Sequence, residues 1–266
     1  MPFRNQTEQD LPSQIHVAAL TDIGRVRTNN EDIFGIDAPH GLYVVCDGMG
    51  GAAGGEIASS LACSTLIESF AAVRAHSKLF SLADFQDRLA IAVRASNAAV
   101  YRASRSPKHR GMGTTLVAAA IAGSTALIAN VGDSRAYLLQ QGNWQQVTDD
   151  HSYINELIRT GSIRPEDSNA PGLQRFASTI TRAIGTAKEV NPDFFAVTLT
   201  DGDTVLLVSD GLTRYLDSPD FVTLIDPTDL EASCQRLIDS AKEQGGIDNI
   251  TCLLLRYVAL ADPSTT

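Results

Sequence analysis

The apolar positions of the chain fall mostly in short runs bounded by Gly, Asn, Asp and Ser, a pattern typical of β-strands. Two neighbouring pairs of runs are separated by Gly123-Ser124 and by Gly142-Asn143, and each pair predicts a hairpin. The runs that we interpret as strands cover 15–20, 42–46, 114–122, 125–131, 135–140, 144–147, 193–199, 204–209 and 250–260.

Three other segments repeat their apolar residues every three or four positions and predict amphipathic helices. The first begins near Glu56, the second begins near Ser81, and the third covers 229–243. Ser81 and Asp84 have the spacing of a capping box, which marks the start of the second helix. The predicted buried stripes are Ile57, Leu61, Leu66, Phe70 and Val73, then Phe85, Leu89, Val93 and Val100, and finally Leu230, Cys234, Leu237, Ile238 and Ala241.

The order of these elements predicts an α+β fold with mainly antiparallel sheets. It lacks the regular strand–helix alternation of a parallel doubly wound sheet, and the hairpins favour a β-sandwich with helices packed outside. Residues 15–258 carry no linker and are predicted to form one domain between flexible tails at 1–14 and 259–266. The polar segment 150–179, which contains Gly and Pro, is predicted to be a mobile insertion over one edge.

Composition narrows the class of protein. The 266 residues carry a formal net charge of −10, which argues against binding to nucleic acids or to anionic membranes. No run approaches the roughly 18 apolar residues that cross a bilayer. The first residues lack the apolar stretch of an export signal, so we expect a cytoplasmic protein. The four cysteines have no CxxC spacing and are expected to be buried free thiols.

Four acidic side chains follow apolar, strand-like runs, namely Asp47, Asp133, Asp210 and Asp248. Strand ends brought to one edge would gather these carboxylates, and their mutual repulsion would require a cation. Oxygen ligands are preferred by Mg²⁺ and Mn²⁺, whereas zinc is bound more often by nitrogen and sulfur. Two such ions about 3.5–4 Å apart can hold a water whose pKa falls toward about 7, and the resulting hydroxide suits attack on phosphorus.

Such an acid cluster would repel an anionic substrate, so a positively charged side chain is needed nearby to bind it. Arg27 closely precedes Glu31 and Asp32, and a guanidinium group matches two phosphate oxygens. Each residue taken alone has a plainer interpretation, because a lone Asp is more often a turn former and an arginine more often a surface residue. A dinucleotide-binding loop at Gly48-x-Gly50 is disfavoured, since the third glycine of that fingerprint is missing.

Six blocks of the sequence occur together between about residues 14 and 258: TDIGRVRTNNED, VVCDGMGG, GMGTTL, NVGDSR, LLVSDGL and IDNIT. In their order and spacing they resemble the metal-dependent protein phosphatases, the protein phosphatase 2C-like group, and the bacterial branch in particular. The resemblance implies a four-layer α-β-β-α sandwich with metals at one end of two antiparallel sheets. It also implies an enzyme that hydrolyses phosphoserine and phosphothreonine in proteins by attack of a metal-bridging hydroxide, without a covalent intermediate.

The same resemblance implies a set of metal ligands in this chain. Asp47 would bridge two divalent cations, Mn²⁺ or Mg²⁺, and the carbonyl group of Gly48 would bind one of them. Asp210 and Asp248 would hold the other cation. Asp133 would bind a third, weaker ion.

The remaining family positions concern water, phosphate and the leaving group. Glu31 and Asp32 would orient metal-bound water, and Arg27 would bind the substrate phosphate. Met49 stands where many eukaryotic members carry the His that is assigned as general acid, so no general acid is expected here. Arg214 stands where those members have a further acid for the third metal, which disfavours a third ion.

The resemblance also implies partners. The expected partners are phosphorylated proteins, in particular a serine/threonine kinase or the substrates of such a kinase. Segment 150–179 matches the flap of the family, which affects substrate choice. Two other functions stay open at this point: a low-turnover sensor or binding module with a phosphatase fold, and a phosphomonoesterase that acts on small molecules.

Overall fold

The computed structural model describes residues 13–50, 54–73, 81–168, 170, 172–176 and 178–260 of the chain. The strands in these ranges are β1 (Ser13–Asp22), β2 (Asp32–Asp37), β3 (Leu42–Met49), β4 (Gly113–Thr114), β5 (Leu116–Ala122), β6 (Thr125–Val131), β7 (Arg135–Gln140), β8 (Asn143–Gln146), β9 (Asp193–Thr198), β10 (Thr204–Val208) and β11 (Ile250–Ala259). The α-helices are α1 (Gly54–Ala72), α2 (Leu82–Ser104), α3 (Tyr153–Arg159), α4 (Asp210–Thr213), α5 (Ser218–Leu224) and α6 (Leu230–Glu243).

The strands form two sheets in which neighbours run antiparallel. One sheet has the order β1-β11-β10-β7-β8, and the other has the order β2-β3-β5-β6-β9 with β4 paired to the end of β3. The predicted hairpin at Gly123-Ser124 is present, since Ala122 pairs with Thr125 across it. The prediction of antiparallel sheets is confirmed.

Three apolar clusters hold four layers together. One lies between the sheets and includes Val45 and Leu253, one from each sheet. A second joins α1 and α2 to the six-stranded sheet, and the third joins α6 to the five-stranded sheet. Burial of each large aliphatic side chain contributes about 1.5–3 kcal/mol, so the sheets and helices stabilise one another in the order α-β-β-α. This α+β arrangement confirms the expected fold class.

The second and third helices follow the sequence prediction closely. The capping box at the start of α2 is formed, since the Asp84 N–H donates to Ser81 Oγ at 3.1 Å and the Ser81 N–H donates to Asp84 Oδ2 at 3.3 Å. Asp229 caps α6 by accepting a hydrogen bond from the Ala232 N–H at 3.1 Å. All the predicted apolar positions of these two helices are buried.

The predicted stripe of α1 is partly wrong. Leu66 and Phe70 are buried, but Ile57 is 37% exposed, and α1 ends before Val73. The buried face instead contains the small residues Ala58, Ser59, Ala62 and Cys63. Small residues let the helix backbone approach its neighbours closely, and large apolar residues alone do not reveal that face.

Other predicted boundaries shift slightly. The second hairpin turns at Gln141-Gly142 and not at Gly142-Asn143. Gln141 and Gly142 have φ of 53° and 81°, and the favoured two-residue turn requires positive φ at both of its residues. Both predicted tails extend slightly too far into the domain, since β1 and β11 pair as far as Ser13 and Ala259 through backbone hydrogen bonds that need no apolar side chain. Residues 1–12 and 261–266 of those tails lie outside the described residues.

The flap, residues 150–179, contains α3 and two short 3-10 turns, Pro165–Asp167 and Gln174–Phe176. Helices α4 and α5, of four and seven residues, are missing from the sequence prediction because such short segments show no helical period. None of the helices in the described ranges combines the length and the hydropathy needed to span a bilayer.

Candidate active site

The four strand-end acids line one cavity of about 430 Å³. Asp47 lies near the end of β3, Asp133 follows β6 by two residues, and Asp210 follows β10 by two residues. The expectation that Asp248 also follows a strand is wrong, because it precedes β11 by two residues. The cavity therefore lies at an edge to which both sheets contribute, and we call these four residues the acid edge. Three further residues predicted from the sequence line the same cavity: Arg27, Glu31 and Gly48.

The backbone around Asp47 explains why glycine and threonine occur nearby. Thr115 Oγ1 accepts a hydrogen bond from the Asp47 N–H at 2.9 Å, and the Thr115 N–H donates to the Asp47 carbonyl at 2.8 Å. A Cβ atom at Gly48 would collide with the carbonyl oxygen of Gly55 and would lie 2.6 Å from that of Glu31. The start of α1 therefore packs directly on the strand end that carries the acid.

Burial and mutual repulsion make the ionised acids of this edge unfavourable. Burial first, and then the charges of Asp32 and Asp210, raise the pKa of Asp47 well above its usual value. Burial and then the charge of Asp210 raise the pKa of Asp133 to about 7. The pKa of Asp210 is also raised, by burial and then by Asp248. A bound cation would reverse these shifts, because it stabilises the ionised forms.

Asp32 connects the two sheets beside the acid edge. Its Oδ2 accepts hydrogen bonds from Ser209 Oγ and Thr251 Oγ1, both at 2.7 Å. Its buried Oδ1 has no hydrogen-bond partner among the described residues. Burial raises the pKa of Asp32 to about 7 although the two hydroxyl groups lower it. A buried carboxylate oxygen without a donor is costly, and this atom therefore fits the predicted role of an acceptor for bound water.

Asn249 holds the loop that carries Arg27 and Glu31. Its Oδ1 accepts a hydrogen bond from the Glu31 N–H at 2.8 Å, and its Nδ2 donates to the carbonyl groups of Ile23 at 3.0 Å and Asn29 at 2.9 Å. The sequence prediction used only the Asp of the block IDNIT and missed this residue. An amide side chain directly after a strand-end acid was the available signal.

Two arginines neutralise part of the acid edge. Arg27 Nη2 lies 2.8 Å from Asp248 Oδ2, and Arg214 Nη2 lies 3.3 Å from Asp210 Oδ2. Across the described segments, no three carboxylate, imidazole or thiol side chains are arranged to hold a metal ion as they stand. The two arginines pair with two of the four acids, and they would compete with a cation for these carboxylates.

The donor set itself fits hard divalent cations. Among the described residues, the cavity lining provides carboxylate and carbonyl oxygens and includes neither an imidazole nor a thiol. Mg²⁺ and Mn²⁺ prefer such oxygen ligands, whereas zinc prefers nitrogen and sulfur. Each arginine contacts only the Oδ2 atom of its carboxylate, so a cation would compete with it for Asp210 or Asp248 or bind the other oxygen.

Comparison with known proteins agrees with this geometry. The family model described as protein phosphatase 2C matches residues 25–249. This chain belongs to the protein phosphatase 2C family. The serine/threonine phosphatase stp of Listeria monocytogenes is 37% identical over 247 residues, which cover 91% of this chain and 95% of that protein. The expected resemblance to the bacterial branch is thereby confirmed.

Solved structures of this family have the same fold. The crystal structure of the Mycobacterium tuberculosis serine/threonine phosphatase PstP/Ppp has 34% identity and a TM-score of 0.80, and the match covers 91% of this chain and 98% of that one. A catalytic domain of the serine/threonine phosphatase PstP in complex with two manganese ions has 34% identity and a TM-score of 0.78, with 93% and 100% covered.

Two further residues lie at the site of this protein phosphatase 2C member or beside it. Met49 lines the cavity and has no proton to give to a leaving group. His151 is buried, its Nδ1 accepts a hydrogen bond from the Gly132 N–H at 3.0 Å, and its Nε2 lies 3.0 Å from Asp193 Oδ2. Both ring nitrogens are therefore engaged, and His151 connects the start of the flap to the loop that carries Asp133.

Proposed function

We propose that this protein is a metal-dependent serine/threonine phosphatase that removes phosphate from other proteins. The observation that carries this proposal is the meeting of the four carboxylates of the acid edge and two arginines, Arg27 and Arg214, around a single cavity. When bound there, two divalent cations would lower the pKa of a water enough to supply hydroxide at neutral pH. Membership of a family whose relatives are named serine/threonine phosphatases supports the protein substrate.

In this proposal the metal ligands are divided among the strand ends. Asp47, the carbonyl group of Gly48, Asp210 and Asp248 would hold the two cations. Asp133 is available to a third, weaker ion. Either Mn²⁺ or Mg²⁺ suits these oxygens, and a PstP structure that contains two manganese ions supports the pair.

The residues around the cations bind and orient the reactants. Arg27 leaves Asp248 and donates hydrogen bonds to two oxygens of the substrate phosphate, which holds phosphorus in line with the attacking water. Asp32 Oδ1 and Glu31 accept hydrogen bonds from water and orient it. We assign no general acid, because Met49 occupies the position that would supply one.

Cell context is a further part of the proposal. We infer a cytoplasmic signalling role opposite a serine/threonine kinase, with residues 13–259 acting as one catalytic domain. The described cysteines are all buried free thiols, which suits a reducing compartment.

The test is loss of turnover in variants of the acid edge. Asp47→Asn and Asp210→Asn should abolish hydrolysis of an aryl phosphate and of a phosphothreonine peptide in Mn²⁺, and EDTA should abolish it in the wild type. Asp239→Asn on the exposed face of α6 is the matched control and should keep full activity. Retained turnover in either edge variant would contradict the assignment.

A second comparison separates the alternatives. The wild type should hydrolyse phosphopeptides with a higher kcat/KM than free phosphometabolites. The reverse preference would indicate a phosphatase of small molecules, and absence of turnover on either class with Mn²⁺ present would indicate a sensor or binding module.

A further inference from the structure

A second cavity of about 430 Å³ lies between the flap and the acid edge. It shares four lining residues with the first cavity, namely Asp133, Ser178, Asp210 and Arg214. The flap lines it with hydroxyl, amide and aliphatic groups from Ser152, Ile154, Asn155, Ile158 and Ser168. A substrate chain whose phosphate occupies the first cavity can therefore extend into the second.

Two arginines line this flap cavity, and their donors are used differently. All three nitrogens of Arg135 have a partner: its Nε and Nη2 bind Asp150 at 2.9 and 2.7 Å, and its Nη1 donates to the Tyr137 hydroxyl at 3.3 Å. Arg214 uses only Nη2, in two contacts of 3.3 Å to Ser178 and Asp210. Its Nε and Nη1 have no hydrogen-bond partner within the described part of the chain, although a guanidinium offers five donors.

We propose that Arg214 binds a second anionic group of the substrate, one that lies close in sequence to the phosphorylated residue. This inference rests on the proposed function and adds a preference to it. Arg214 borders both cavities, and its side chain is 33% exposed. A group that enters the flap cavity therefore meets the unused donors of Arg214.

The chemistry of the ligand follows from the charges that surround it. Asp150 is neutralised by its bidentate pair with Arg135, a bound cation would neutralise Asp210, and Asp133 would be neutralised where the third, weaker ion binds. The remaining unsatisfied charge is then the Arg214 guanidinium, which binds carboxylate and phosphate oxygens best. Arg27 and Arg214 line one cavity, and an extended chain advances about 3.3–3.6 Å per residue, so the second group lies within a few residues.

The experiment measures kcat/KM for phosphothreonine peptides that differ at one flanking position. Each position on either side of the phosphothreonine carries in turn Gln, Glu or phosphoserine. Because a flanking phosphoserine is itself a substrate, only hydrolysis at the phosphothreonine is followed, and the ratio of each anionic peptide to its Gln partner is determined in Mn²⁺ at about 0.15 M salt, where long-range repulsion is screened. The comparison includes wild type, Arg214→Ala, Arg214→Lys and, as a control outside both cavities, Arg159→Ala.

The wild type should prefer an anionic neighbour at one or two positions by about tenfold, as expected for a charge-assisted hydrogen bond. Arg214→Ala should bring that ratio to about 1, Arg214→Lys should keep part of it, and Arg159→Ala should keep all of it. A preference for Glu alone identifies a carboxylate as the ligand, and a preference for phosphoserine alone identifies a second phosphate.

Two outcomes would overturn the inference, and they differ in what they leave standing. If Arg214→Ala lowers kcat/KM equally for all peptides, or if the wild type shows no preference, Arg214 only holds Asp210 and the proposed function survives. If the wild type hydrolyses an aryl phosphate but none of the peptides, both the inference and the proposed protein substrate are wrong.

Discussion

The acid edge and the flap lie side by side, yet they are built by different means. At the edge, the functional groups stand on strand ends or next to them, and their neighbours Glu31 and Asp32 are only 9% and 7% exposed. In the flap, α3 has no buried side chain along its fully described length. The Arg159–Glu156 ion pair of α3 joins side chains that are 73% and 46% exposed.

This difference separates two properties of the enzyme. Residues that two sheets hold in place can keep carboxylates together against their repulsion, as catalysis requires. A surface segment with exposed ion pairs contributes little to the free energy of unfolding and can change with little effect on the fold. We therefore expect the chemistry to depend on the edge and the choice of substrate to depend on the flap.

Paired glycine substitutions test this difference most strongly. Gly48→Ala should lower the free energy of unfolding by about 3 kcal/mol or more, because its Cβ would collide with backbone atoms of Gly55. Gly172→Ala in the flap should change it by no more than about 0.5 kcal/mol, since nothing lies within 4 Å of the added atom. Urea denaturation in EDTA measures both. Equal midpoints for the two variants would show that the edge is no more tightly built than the flap.

Local sequence signals predicted several features of the fold and the site, but they missed others. The capping box of Ser81 and Asp84 and the acids Asp47, Asp133 and Asp210 near strand ends are local signals that the structure confirms, whereas Asp248 lies before a strand and not after one. The face of α1 was mispredicted because its contacts are made by Ala58 and Ala62, which carry little hydropathy signal.

Contacts between distant segments were beyond local patterns. Asp32 binds the hydroxyl groups of Ser209 and Thr251, some 180 and 220 residues away, and no spacing rule connects them. The arginine partners of Asp210 and Asp248 depend likewise on the tertiary fold. Local sequence therefore indicated which residues form the site, and only the fold shows how they are paired.

Removal of an arginine is expected to have a smaller effect than disruption of the backbone. Arg27→Ala should lower kcat/KM for an aryl phosphate by about 10- to 100-fold, the loss expected for hydrogen bonds to a charged group. Arg27→Lys should restore only part, because an ammonium cannot match two phosphate oxygens in a fork. Arg159→Ala in the flap should leave this rate unchanged. Unaltered kinetics in Arg27→Ala would remove the phosphate-binding role.

The junction between the two regions should respond to pH, and this is the smallest effect that we expect. His151 sits in the folded protein with Nδ1 accepting from the Gly132 N–H, so protonation of that atom would break the connection. Burial lowers the pKa of His151, and Arg182 lowers it further, while Asp193 and Asp150 act in the opposite direction.

The direction of the pH effect follows from that lowered pKa. Above the unfolded value of about 6.5, His151 is neutral in both states and the connection contributes fully to stability. As pH falls below about 6.5, the unfolded chain gains a proton that the folded one resists, so stability falls by at most about 1.4 kcal/mol per pH unit.

Buried carboxylates with raised pKa values change stability in the opposite direction. The informative quantity is therefore the difference in unfolding free energy between wild type and His151→Asn, measured in EDTA at several pH values. The wild type should be more stable than His151→Asn, and this difference in unfolding free energy should shrink as the pH falls. A difference that does not change with pH would show that the neutral His151 ring does not connect the edge to the flap.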